Sequence, residues 1–155
     1  MPEYHLSIKA DLENIAQLMP LEDNLWKFDV ESQSGERREG ITFSRSDEME
    51  MEGSKGTAHF IMKWPGEHNQ TTIKIVPIKK VDGSYKESGK WIKILALECR
   101  GITPIKWIPS VDFSATTTGG FVFGEVDLSD DWAEYDEEND ESVSVMNLES
   151  RIEKA

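Results

Sequence analysis

Trp91-Ile92-Lys93-Ile94-Leu95-Ala96-Leu97-Glu98-Cys99 carries apolar side chains on both faces that an extended chain alternates between. A strand solvated on one face would alternate apolar with polar, so this run reads as a central strand covered on both sides. The runs around it alternate cleanly. Leu6, Ile8 and Ala10 alternate with His5, Ser7 and Lys9, and Trp26, Phe28 and Val30 alternate with Lys27, Asp29 and Glu31. Ala58, Phe60 and Met62 share a face opposite Thr57, His59, Ile61 and Lys63. Residues 71–78 form another strand, with Pro77 pushing its end towards an edge. Phe121, Phe123 and Val126 mark one more, after Gly119-Gly120.

Turn chemistry separates these runs: Ser34-Gly35-Glu36, Gly53-Ser54-Lys55-Gly56, Pro65-Gly66 and Asp82-Gly83-Ser84. Short strands at such spacing predict an all-β domain, sandwich-like or a distorted barrel, of short and mostly antiparallel strands with little helix. Residues 1–155 read as a single domain of ordinary size. Leu12, Ile15 and Leu18 allow one or two helical turns between Ala10 and Pro20. The end of the chain is ambiguous. Val143 and Val145 alternate like a strand, whereas Val145, Leu148 and Ile152 fit a helix face.

The formal net charge is −13, and ten acids but no Lys or Arg fall within residues 125–141. Such a field repels phosphate backbones and anionic bilayers, so neither nucleic acid nor membrane is an expected partner. Trp132 and Tyr135 interrupt the acidic segment 130–141 and are expected to pack it onto the domain. The alternative is a surface of Trp132, Tyr135, Asp136 and Glu137 that anchors a basic partner protein. Asp136, Glu138 and Asp140 have the spacing of a calcium loop's opening. That loop needs glycine where Glu141 stands and glutamate where Asn147 stands, so the likeness is accidental.

Cys99 is the single cysteine, which excludes an internal disulfide and points to a reducing compartment. With no basic leader, no apolar leader run and no spanning stretch, the expected location is the cytoplasm. A monomer is expected. Neither a nucleophile motif nor a phosphate loop occurs, so a non-enzymatic protein is expected. An enzyme would need a pocket in which Glu98, Arg100, His59 or Cys99 converge.

Several segments resemble one family. Leu6-Ser7-Ile8-Lys9-Ala10-Asp11-Leu12-Glu13-Asn14-Ile15 is similar to the opening of the CXXC-motif-containing zinc-binding proteins, a eukaryotic family of poorly defined function. Glu98-Cys99-Arg100-Gly101-Ile102-Thr103-Pro104 and Asp131-Trp132-Ala133-Glu134-Tyr135-Asp136-Glu137 resemble two further segments of it, the second followed by Glu141-Ser142-Val143. The resemblance implies one structural zinc held by four thiolates from two Cys-x-x-Cys turns. Here the matching positions are Glu31 and Ser34 in the first turn and Trp64 and Glu67 in the second. No zinc or other cofactor is therefore expected. A buried contact around Trp64 is expected in its place. The alternative is a weak or altered metal site using Glu31, Glu67 and His68.

Overall fold

The computed structural model describes residues 2–51 and 56–155, and among them the chain forms fourteen strands and no helix. They are β1 (Glu3–Glu13), β2 (Ile15–Pro20), β3 (Trp26–Ser32), β4 (Arg37–Phe43), β5 (Met49–Glu50), β6 (Thr57–Ala58) and β7 (Phe60–Met62). The second half holds β8 (Thr71–Val76), β9 (Ile92–Arg100), β10 (Ile102–Trp107), β11 (Phe113–Thr117), β12 (Val122–Val126), β13 (Trp132–Asp136) and β14 (Glu141–Lys154). One sheet has six strands in the order β13-β14-β1-β9-β8-β7. Two three-stranded sheets, β10-β3-β4 and β12-β11-β2, and the short β5-β6 pair complete the fold. The ladders between these strands are antiparallel, and one sheet curls into a half-barrel, so the fold is all-β as expected.

The run that opened the reading becomes β9, held between β1 and β8. Ile94, Leu95, Ala96, Leu97 and Cys99 are all buried there. The smaller sheets close over it through aromatic side chains. Phe28 stacks on Phe43 at 5.8 Å, and Phe43 meets Phe60 of β7 at 6.3 Å. Trp26, Trp107 and Phe113 form a triangle with ring centroids 6.0–6.3 Å apart. Such tilted and edge-on pairs suit ring quadrupoles and bury large apolar area.

The helical turns expected near Leu12, Ile15 and Leu18 do not form. These residues belong to two strands separated by Asn14, which takes a left-handed φ of 52°. Asparagine tolerates that conformation, so one residue turns the chain and resets the side-chain phase. The ambiguous end is strand throughout. In the β1–β14 ladder Lys9 faces Glu149 and Asp11 faces Met146, so β14 carries one extra residue opposite Ala10. This bulge, where Asn147 has φ 56°, moves the inward phase from Val143 and Val145 to Leu148 and Ile152. The helical spacing of Val145, Leu148 and Ile152 is the signature of that shift.

The acidic segment is also more regular than its composition suggests, because β13 lies inside it and forms a hairpin with β14. His59 separates β6 from β7 within the run that alternated from Thr57 to Lys63. Gly53, Ser54 and Lys55 of the expected second turn lie outside the described residues. No helix among the described residues is long and apolar enough to cross a membrane.

Candidate functional site

Two turns meet where the family resemblance places its metal. The first joins β3 to β4. Gly35 N donates to Ser32 O at 3.0 Å, and Gly35 takes φ 90°. This is a turn closed by a left-handed glycine, a common hairpin connection. Ser32 Oγ lies 2.9 Å from Ser34 Oγ and accepts from Glu36 N at 3.1 Å. The second turn is Trp64-Pro65-Gly66-Glu67. Glu67 N donates to Trp64 O at 3.1 Å, and Gly66 has φ 80°. Proline followed by a left-handed glycine is the sequence that a type II turn requires.

Ser34 Oγ reaches Glu67 Oε1 across the gap at 3.5 Å, a long hydrogen bond. Trp64 is only 1% exposed, and the Arg38 guanidinium sits 5.7 Å from its ring centroid. The buried Nε1 of Trp64 has no hydrogen-bond partner among the described residues. Glu31 accepts from Arg37 Nε at 2.9 Å. These residues do not fit zinc. An indole offers a metal no lone pair, Glu31 is engaged by a cation, and one cysteine cannot supply four thiolates. His68 is exposed on the following loop. Glu31, Glu67 and His68 do not assemble: among the described residues no three His, Cys, Asp or Glu side chains could jointly hold a metal.

The residues that an enzyme reading would need lie on β9 and beside β8. Cys99 is buried, and burial, reinforced by Glu98, pushes its thiol up to about 12. A thiol so held is not a thiolate nucleophile. Arg100 is exposed, as alternation along β9 requires. His59 Nδ1 accepts from Ile75 N at 2.9 Å, so the ring is tied to β8. Burial, then the charges of Arg45 and Lys74, lower its pKa and keep it neutral. His5 pairs with Glu3 at 2.6 Å.

The acidic hairpin divides its predicted surface residues. Trp132 is half-buried and meets Phe123 edge-on at 5.2 Å, whereas Tyr135 is 47% exposed. Glu137 is exposed. Asp136 is not a surface residue at all, being 0% exposed. Its carboxylate accepts from Thr117 Oγ1 at 2.9 Å, Asn139 Nδ2 at 2.7 Å and Asn139 N at 3.2 Å. Asp136 therefore ties the hairpin to β11. A Cβ on Gly119 would collide with the side-chain amide of Asn139, so that position must be bare for Asn139 to reach Asp136.

Burial alone would raise the pKa of Asp136, but the bonds from Asn139 and Thr117 outweigh it and hold it below its ordinary value. A depressed carboxylate contributes stability above its unfolded pKa and loses it as pH falls through the folded value. The urea midpoint of the native chain should therefore fall on acidification through the carboxylate range. Asp136→Asn should lower the midpoint at neutral pH and flatten that slope. Parallel midpoint-against-pH curves for the two proteins would count against this assignment.

Comparison with known proteins places this geometry. Residues 5–153 match the family model described as CXXC motif containing zinc binding protein, eukaryotic. A UPF0587 protein of Schizosaccharomyces pombe is 32% identical over 160 residues, covering 100% of both chains. The Homo sapiens CXXC motif containing zinc binding protein is 30% identical over 161 residues, covering 99% of both. A solved structure titled as a hypothetical protein from Plasmodium falciparum superposes with a TM-score of 0.93 at 34% identity, covering 99% of this chain and 100% of that one. With matches along its whole length in sequence and in fold, the chain belongs to the eukaryotic family of CXXC motif containing zinc binding proteins, while carrying a single cysteine and no Cys-x-x-Cys pair of its own.

Proposed function

We propose that this chain is a non-enzymatic, cytoplasmic member of its family that joins its two turns without zinc and acts as a protein-binding domain. The observation that carries the metal-free reading is Trp64, fully buried at the second turn while Ser34 and Glu67 bridge to the first. Burying an indole removes roughly 150–250 Å² from water. At about 25 cal/mol per Å², that is roughly 4–6 kcal/mol before ordering costs. This is the same order as a large share of what a structural zinc supplies, about 10 kcal/mol or more. The non-enzymatic reading draws support from Cys99 and His59, whose reactive atoms are buried or already bonded.

Elemental analysis of the purified chain, with thermal melts in the presence and absence of a strong chelator, tests the metal-free reading. Negligible zinc and superimposable melts are expected. Stoichiometric zinc at neutral pH, or a melt collapsed by the chelator, would refute it.

A further inference from the structure

β13 is the last strand of the six-stranded sheet and, among the described residues, pairs only with β14. Its other edge presents a row of backbone N–H and C=O groups, the usual template for an added strand. An aromatic ladder lies beside it. Phe121 and Phe123 meet edge-on at 4.9 Å, and Phe123 meets Trp132 of β13 edge-on at 5.2 Å. All three rings are partly exposed, and neighbouring Val122 is 54% exposed. On β13 itself Ala133, Glu134 and Tyr135 face solvent.

The charge around this edge selects the occupant. Residues 125–141 hold ten acids and no Lys or Arg. Elsewhere Glu31, Asp82, Glu87, Glu149 and Glu153 all find cationic partners, but among the described residues no ion pair includes an acid of 125–141. A second copy adding along β13 would set acids against acids, which destabilises facing strands. A cationic strand meets no such penalty.

We propose that the open edge of β13, with the Phe121–Phe123–Trp132 ladder beside it, docks an extended lysine- or arginine-rich segment of a partner protein. The segment adds as a strand, and its main chain supplies the hydrogen bonds. Its alternate cations face Glu134, and their aliphatic stems lie along the rings, where a cation over Trp132 is also attracted by the ring face. Asp136 takes no part, because its oxygens are used by Thr117 and Asn139. This surface rests on the reading of the chain as a binding domain and gives that reading a place and a partner chemistry.

The test uses the full chain and a fluorescein-labelled peptide of about ten residues, the length of a long strand, alternating lysine and threonine. Anisotropy should show saturable binding that weakens about tenfold or more as salt is raised from low to several times physiological strength. Methylating alternate backbone amides of the peptide should weaken binding about tenfold, because the hydrogen bonds of the added strand are lost. Trp132→Ala should weaken it about fivefold, and Glu134→Lys, which replaces only an exposed side chain, by a similar factor. The second variant decides the matter if the first unfolds.

No saturable binding would mean that the acids only guard the edge, and would overturn the proposal. Equal affinity for the methylated peptide overturns strand addition. A dimer that the peptide disperses would assign the edge to a second copy and overturn it as well. Binding unchanged in Glu134→Lys and in a folded Trp132→Ala removes this surface but leaves the binding-domain reading standing. Zinc in the purified chain would instead strike the metal-free reading alone.

Discussion

Trp64→Ala is expected to cost about 3–5 kcal/mol of folding stability, the range for truncating a fully buried large aromatic side chain. Domains of this kind hold about 5–15 kcal/mol in total, so the variant would lose about a fifth of that or more. The loss would concentrate at the junction. Without the indole the second turn no longer rests on the core, and the Ser34–Glu67 contact loses one of its two supports. Trp64→Phe should be milder, at about 1–2 kcal/mol. It leaves a smaller void, and it removes an N–H that is buried without an acceptor, a defect worth about 1–3 kcal/mol on its own. Urea midpoints at neutral pH measure both. A Trp64→Ala variant within about 1 kcal/mol of the native chain, well below the usual range, would show that the indole does not hold the turns.

Tyr85→Ala should be comparably severe, and Tyr85→Phe should cost about 1–3 kcal/mol through the hydroxyl alone. Tyr85 is 1% exposed. Its hydroxyl accepts from Ala10 N at 3.1 Å and lies 2.7 Å from Lys90 O and 3.2 Å from Ala10 O, to which it can donate in turn. Ala10 is the residue that the β1–β14 ladder skips at the bulge. The phenol thus gives that amide a partner. The same loop is fastened further by Leu18 N to Tyr85 O at 2.9 Å and Gly89 N to Ala10 O at 2.8 Å. In Tyr85→Phe the Ala10 amide should exchange with solvent markedly faster. Unchanged exchange at Ala10, followed by proton-detected spectroscopy, would count against this role.

What was legible in the sequence follows from what each strand buries. β3 and β9 were plain because their apolar residues meet a core on one face or both. β4 escaped notice because Arg37, Arg38 and Glu39 fill its first half; its pairing with β3 is backbone work that leaves no apolar signature. β13 was hidden by its own acids. The two left-handed asparagines, Asn14 and Asn147, each shifted the side-chain phase and mimicked a helix. At the junction, the turns were readable from Gly35 and Pro65-Gly66. The contact between them was not, since it joins residues 33 positions apart through side chains that carry no spacing rule. Asp136 looked like surface because sequence shows charge but not the Thr117 hydroxyl waiting on β11 or the Asn139 amides in its own turn.

The long ladder between β1 and β14 also bears on how the protein is made. Tyr4 lies opposite Lys154, and Leu6 opposite Ile152. At about 5–20 residues per second, a ribosome would take roughly 7–30 s to deliver the partner of a strand that emerged about 150 residues earlier. Through that interval Leu6, Ile8 and Ala10 await a neighbour that does not yet exist, and the six-stranded sheet cannot close ahead of it. Pairings so distant in sequence are slow to form. Nascent chains should accordingly spend that time dependent on whatever shields β1, and the acids of 125–141, emerging just before β14, arrive in time to keep the unfinished sheet in solution.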